Sequence, residues 1–175
     1  MMKKILTLLF TICVMMTVDA QTSYFNMGTN INPNGETWTF DTKSFIVNDK
    51  RIIPVMGEIH YARVPESQWH DELLKMKAGG VTVISTYVFW IHHEEIENQS
   101  NWSGNRNLRK FLTLCKELNL PVILRIGPFC HGECRNGGFP DWIIQQGYKI
   151  RQDKAKYLAK VETWFNQIFS QVNGL

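Results

Sequence analysis

Three short apolar runs in this sequence each lead into residues that can do chemistry. Ile52-Ile53-Pro54-Val55-Met56 runs into Gly57-Glu58-Ile59-His60-Tyr61-Ala62-Arg63, and Val81 to Phe89 runs into Trp90-Ile91-His92-His93-Glu94-Glu95. Pro121 to Ile126 runs into Gly127-Pro128-Phe129-Cys130-His131-Gly132-Glu133-Cys134 and on through Gly137-Gly138-Phe139-Pro140-Asp141-Trp142. An apolar run that stops at a Gly/Pro-rich loop bearing His, Glu, Arg and Trp has the pattern of a buried parallel strand whose carboxyl end holds a binding site. Together the run ends supply Glu58, Glu94 and Glu133, with His60, His93 and His131 and the rings of Tyr61, Tyr87, Trp90 and Trp142. Carboxylates accept hydrogen bonds from hydroxyls and flat rings cover the apolar face of a pyranose, so the set suits a sugar. Two carboxyl groups across a glycosidic bond, one protonated and one ionised, would hydrolyse it. For any single glutamate the competing reading is an ion pair in the sheet mouth, Glu58 or Glu94 with Arg63 or Arg125. Recurrence at three run ends favours a site.

The elements that must position these residues follow from periodicity. Residues 21–50 read as a β lead-in, with Thr37-Trp38-Thr39-Phe40 alternating and Phe45-Ile46-Val47 turning at Asn48-Asp49. After the first strand, Ser67 is placed to cap a helix carrying Trp69, Leu73 and Met76, and Gly79-Gly80 ends it. Leu108, Phe111, Leu112 and Cys115 mark a second helix ending near Asn119-Leu120-Pro121, and Val161, Trp164, Phe165, Ile168, Phe169 and Val172 form the stripe of a third. Strand and helix alternating in this way predict an α/β fold of parallel βα units. Gly57-Glu58-Ile59-His60 is not a phosphate-binding glycine loop, which disfavours an open doubly wound sheet. A closed (β/α)₈ TIM barrel gathers its site at the carboxyl ends of the strands and is favoured. Such a barrel takes about 250 residues, so residues 51–175 are expected to be its amino-terminal part, about the first three βα units.

Composition narrows the function classes. Met1-Met2-Lys3-Lys4, the apolar run from Ile5 to Val18 and Val18-Asp19-Ala20 have the three regions of a secretory signal peptide, here residues 1–20. The run is short for a transmembrane span, so no membrane insertion is expected once it is removed, and the product is expected to be secreted or periplasmic. Losing Lys3, Lys4 and Asp19 takes the formal charge from +3 to +2, too little for a nucleic-acid reader. Lys149, Arg151, Lys154, Lys156 and Lys160 read as the solvated face of a helix. Cys115, Cys130 and Cys134 would remain, an odd number that leaves a free thiol and no disulfide framework. Cys130-His131-x-x-Cys134 has no second ligand pair to complete a zinc site, so no metal and no cofactor is expected.

Several motifs, in order, then resemble glycoside hydrolase family 35. They are Gly57-x-x-His60-Tyr61-x-Arg63-x-Pro65, Trp69, Lys77-x-Gly79, Thr86-Tyr87-Val88-x-Trp90, His93-Glu94, Leu124-Arg125-x-Gly127-Pro128, and Glu133 followed by Gly137-Gly138-x-Pro140-x-Trp142. The resemblance implies a retaining exo-glycosidase, mostly a β-galactosidase, built on a (β/α)₈ catalytic domain followed by β-rich domains. It implies that Tyr87 touches the terminal galactose, that Glu133 hydrogen-bonds its hydroxyls, and that His93, Glu94 and Arg125 shape the pocket. The substrate-binding set read in this way is Tyr87, Glu133, His131, Glu94, His93 and Trp90. The family's acid/base and nucleophile belong to strands four and seven, which places both beyond Leu175 and leaves no catalytic residue in this chain.

Two departures bear on specificity. Ile91 stands where the family pattern has Asn, and His131-Gly132-Glu133-Cys134 replaces Cys-Ala-Glu-Trp. The second adds a titratable donor near the sugar and removes a stacking ring. The expected partner is therefore a β-linked galactoside or a related oligosaccharide, glucosamine included. Two alternatives stay open, a non-catalytic carbohydrate-binding remnant and a metal-dependent barrel hydrolase using His60, His92, His93 and His131. Export predicts that the secreted form begins at Gln21, which an intact-mass measurement checks; an exported form that retains Met1 contradicts it.

Overall fold

The computed structural model describes residues 29–32 and 34–175. The expected signal peptide and the start of the β lead-in lie outside the described residues. The chain divides into two compact units at Ile52/Ile53.

The first unit is an antiparallel meander of β1 (Trp38–Phe40), β2 (Phe45–Val47) and β3 (Lys50–Ile52). Asn48 and Asp49 both adopt positive φ, 47° and 62°, the pair of left-handed residues that a two-residue hairpin turn between β2 and β3 demands. Trp38 stands opposite Val47, and Val47 opposite Lys50.

The second unit is α/β, as expected. Its sheet runs β4 (Met56–Glu58), β5 (Val83–Tyr87), β6 (Val122–Arg125), all parallel and in chain order. Helix α1 (Trp69–Ala78) connects β4 to β5, and the short α2 (Trp90–His93) with α3 (Leu108–Glu117) connects β5 to β6. After β6 come α4 (Asp141–Gln145) and α5 (Ala155–Val172). Three strands, each followed by helix, match the expected βα units; the closure of a full barrel is not a feature of the described residues.

Helix ends follow local chemistry. Helix α1 stops in a Schellman turn, with Gly80 at φ 93°, its N–H on the Lys77 carbonyl and the Val81 N–H on the Met76 carbonyl. Helix α3 ends identically around Asn119 at φ 53°, and it begins with the Asn107 side chain accepting from the Lys110 N–H at 2.9 Å. Ser67 does not cap α1. It sits inside a 3₁₀ turn, Glu66–Gln68, that leads straight into the helix, so the cap position falls on Gln68.

Register assigns the two faces of the sheet. Gly57, Ile84, Val122 and Leu124 share the face toward the helices, where Ile84 joins a core of Trp69, Leu73, Leu108, Phe111, Trp164 and Ile168. The close approach there admits only glycine at 57, since a Cβ would lie 2.6 Å from Met76 Cε and 2.8 Å from Val81 Cγ2. Met56, Glu58, Tyr87, Ile123 and Arg125 share the opposite face. Met56 and Ile123 are 57% and 50% exposed on it.

Other expectations shift. The first strand begins at Met56 rather than Ile52, because Ile52 pairs in the β1–β3 meander and Pro54 has no N–H to offer a ladder. Of the basic run, Lys156 and Lys160 lie in α5, whereas Lys149 and Arg151 precede it. Lys160 is paired with Glu97 at 2.6 Å. In the aromatic stripe Trp164 and Ile168 are buried, but Phe169 is 60% exposed. Leu73 is wholly buried, and Leu73→Ala is expected to cost about 2–5 kcal/mol in urea-melt stability. A loss below about 1 kcal/mol would mean that α1 is not packed as described.

Candidate active site

A cavity of about 590 Å³ opens at the carboxyl ends of β4 and β6. Glu58, His60 and Arg63 line it from the β4 end, and Phe129 to Cys134 with Gly137 line it from the loop after β6. No residue of β5 lines it, but Phe89, two residues past β5, packs against its wall. Phe89 is fully buried, with the His60 ring edge-on at 5.0 Å and the Arg63 guanidinium 4.7 Å over its centre.

Tight backbone shapes the β6 loop. Glu133 itself adopts φ 51°, while Gly137 at φ 63° would drive a Cβ to 2.3 Å from Phe129. The Cys130 N–H donates to the Gly137 carbonyl at 2.7 Å, and the Gly137 N–H to the Cys134 carbonyl at 3.0 Å. From the far wall, Arg63 Nη2 donates to the Gly132 carbonyl at 2.6 Å, which ties the residue beside Glu133 to the β4 end. Cys130 is buried, and burial pushes its thiol up to about 12, so it packs as a neutral group.

The polar groups of the β4 end form a closed network across all three strands. Glu58 Oε1 lies 2.9 Å from His60 Nε2, and Glu58 Oε2 pairs with Arg125 of β6. The Arg125 guanidinium covers the Tyr87 ring at 3.7 Å, and the Tyr87 N–H points to His60 Nδ1 at 3.4 Å. With Nδ1 accepting, the proton of neutral His60 sits on Nε2, on the side of Glu58. Burial, outweighing the attraction of Glu58, lowers the His60 pKa and favours this neutral form. The Arg125–Glu58 contact is short-range charge pairing: Arg125 Nε and Nη2 make no aligned hydrogen bond among the described residues.

The six residues read from the sequence as substrate-binding therefore separate. Glu133 and His131 line the cavity. Tyr87 is half-buried beside it, held by Arg125 and packed near His60 at 5.7 Å. Trp90, His93 and Glu94 lie in the core with 1%, 1% and 3% exposure and do not line the cavity, a correction to the expected placement. The reason is the short α2, which turns the chain inward directly after β5. Glu94 Oε2 accepts from Trp90 Nε1 at 2.9 Å and Oε1 from the Asn98 N–H at 2.8 Å. His93 Nδ1 meets the Asn101 carbonyl at 2.9 Å and Nε2 meets the Tyr61 hydroxyl at 2.6 Å. A carbonyl only accepts, so Nδ1 carries the proton and Nε2 accepts from Tyr61. Conversely, Glu58, His60 and Arg63 belong to the cavity and were not in the expected set; their signal was the first run end, which carries the same residue types as the third.

A metal reading would need His60, His92, His93 and His131 together. Both His93 nitrogens are engaged by protein groups, and among the described residues no three His, Cys, Asp or Glu side chains are arranged to hold an ion.

The sequence profile of glycosyl hydrolases family 35 matches residues 44–175. The chain belongs to glycoside hydrolase family 35. Within that family it is similar to the dog protein named beta-galactosidase, 36% identical over 147 residues, which are 82% of this chain and 22% of that protein. It is 38% identical over 130 residues to human beta-galactosidase-1-like protein 2 and 36% over 137 residues to human beta-galactosidase, spanning 20% of each. This family 35 chain thus spans about a fifth of the length of the curated relatives it matches. None of its described helices is long and apolar enough to cross a membrane.

Burial drives the His93 pKa down to about 4 from an ordinary 6.5. The neutral ring contributes stability that is complete above pH 6.5 and is lost as pH falls toward 4, because only the unfolded chain takes up the proton in that window. Urea midpoints measured from pH 7 to 4.5 should fall more steeply for the native sequence than for His93→Gln, the gap approaching about 3 kcal/mol. Parallel curves would remove His93 as the source.

Proposed function

We propose that this chain supplies glycone-binding strand ends to an exported glycosidase that hydrolyses terminal non-reducing β-D-galactosyl residues with retention. The observation that carries the reading is the cavity itself: in a family 35 chain, Glu133 and His131 face Glu58, His60 and Arg63 across the carboxyl ends of parallel strands. Two carboxylates, two imidazoles and a guanidinium around a space of about 590 Å³ suit a pyranose rich in hydroxyls. Relatives named beta-galactosidase support galactose as that sugar. The sheet face bearing exposed Met56 and Ile123 supports a barrel interior completed by further strands, because an apolar sheet face is stable only when covered.

Retention requires a nucleophile and an acid/base whose carboxyl groups stand about 5 Å apart, one of them free to take and give a proton. Glu58 is held by Arg125 and His60, and Glu94 is enclosed by Trp90 and the backbone of Asn98. Neither is placed to attack an anomeric carbon. The family resemblance assigns the catalytic pair to strands four and seven, with Glu133 left as a hydroxyl acceptor, so the 175 residues are expected to bind without turning over. No cofactor enters this chemistry. Location outside the cytoplasm rests on the amino-terminal pattern of residues 1–20.

Assay of the purified chain against a chromogenic β-galactoside is expected to give no turnover above buffer, with aggregation promoted by the uncovered sheet face. Turnover abolished by Glu133→Gln or Glu94→Gln would place the catalysts inside this chain and overturn the assignment. Turnover that tracks stoichiometric zinc would instead favour the metal-dependent hydrolase.

A further inference from the structure

We propose that Glu58 is a second substrate-contacting carboxylate, fixed between Arg125 and His60 so that it accepts a hydroxyl of an uncharged pyranose in the cavity it shares with Glu133. The inference rests on the sugar-site reading above and adds to it a residue, a wall and a preference for charge. Glu58 and Glu133 reach the cavity from strands on either side of β5. A pyranose lying between them would meet an acceptor on two sides.

A carboxylate has about four acceptor positions. His60 Nε2 lies 2.9 Å from Oε1 and Arg125 pairs in charge with Oε2, and neither contact is an aligned hydrogen bond, while the Glu58 side chain stays 43% exposed where it lines the cavity. Acceptor capacity therefore remains on the open side. One anchor, His60, follows Glu58 by two residues and the other, Arg125, reaches across from β6, so the carboxylate is oriented before any ligand arrives and little rotamer entropy remains to be lost on binding.

Charge then selects the ligand class. Arg125 cancels the Glu58 charge, and His60 is the neutral Nε2–H tautomer because its Nδ1 faces the Tyr87 N–H. Arg63, held on the Gly132 carbonyl, adds a second guanidinium to the same cavity. A cationic amino sugar meets guanidinium groups as well as carboxylates there. A neutral sugar gains directional, charge-assisted hydrogen bonds without that penalty.

The test uses saturation-transfer difference NMR on the full 175-residue chain at micromolar concentration, with methyl β-D-galactopyranoside and D-galactosamine as probes. The neutral probe should bind more tightly than the cationic one. Glu58→Gln should weaken the neutral probe by about tenfold or more, the usual effect of losing a hydrogen bond to a charged acceptor, and Glu58→Asp, which keeps the charge but withdraws it, should weaken it as well. In the native chain, saturating methyl galactoside should also shift the His60 ring ¹⁵N resonances, a readout that needs no variant to fold. Native-like binding by both Glu58 variants, with binding lost in Glu133→Gln, would leave the sugar site standing and overturn the role of Glu58. An unmoved His60 at saturation would overturn it equally. Tighter binding of galactosamine would overturn the charge preference, and absence of binding by either probe would sink the sugar site and this inference together.

Discussion

The second unit depends on one buried carboxylate. Glu94 stands directly after α2 and gathers N–H donors from three parts of the chain: Trp90 Nε1 and the Asn98 N–H reach its carboxylate, and Trp142 Nε1 reaches its main-chain carbonyl at 2.9 Å. Around it Trp90 stacks on Trp164 at 5.4 Å with nearly parallel planes, and Trp102 covers both Trp164 and His93. Helices α2, α4 and α5 are therefore pinned to the same point behind the end of β5. Removing that carboxylate would leave buried indole and amide donors unsatisfied, a larger cost than the net gain of any one of those bonds.

With that core fixed, the sheet can present two chemically different faces. Side chains alternate along each strand, so the residues that pack on helices cannot also face the cavity. Gly57, Ile84, Val122 and Leu124 go to the helices; Glu58, Tyr87 and Arg125 go to the other face at its carboxyl end. The cation over Tyr87, the Glu58–Arg125 pair and the His60 bridge use that shared face to brace three strand ends against one another. The cavity walls are consequently held by strands, and the loop after β6 is in turn held by Arg63. Binding groups mounted on such a frame need little reorganisation.

Much of this was legible in the sequence, for physical reasons that operate locally. Apolar periodicity, Gly79-Gly80 and the Asn48-Asp49 turn report backbone preferences of a few neighbouring residues, and those elements form where expected. The gathering of Glu133 and His131 at a strand end follows from the order of strand and loop alone. What the sequence could not decide is which members of a chemically rich run face outward. His93 and Glu94 are of the same residue types as the cavity groups, yet the one-turn helix after β5 carries them inward with Trp90, where aromatic burial and three N–H donors outweigh solvation. Tertiary structure alone also paired Glu58 with Arg125 across two strands 67 positions apart in the chain. Sequence determined the elements and the residue types at their ends; only packing, by setting the direction of each side chain, decided which of them make the site.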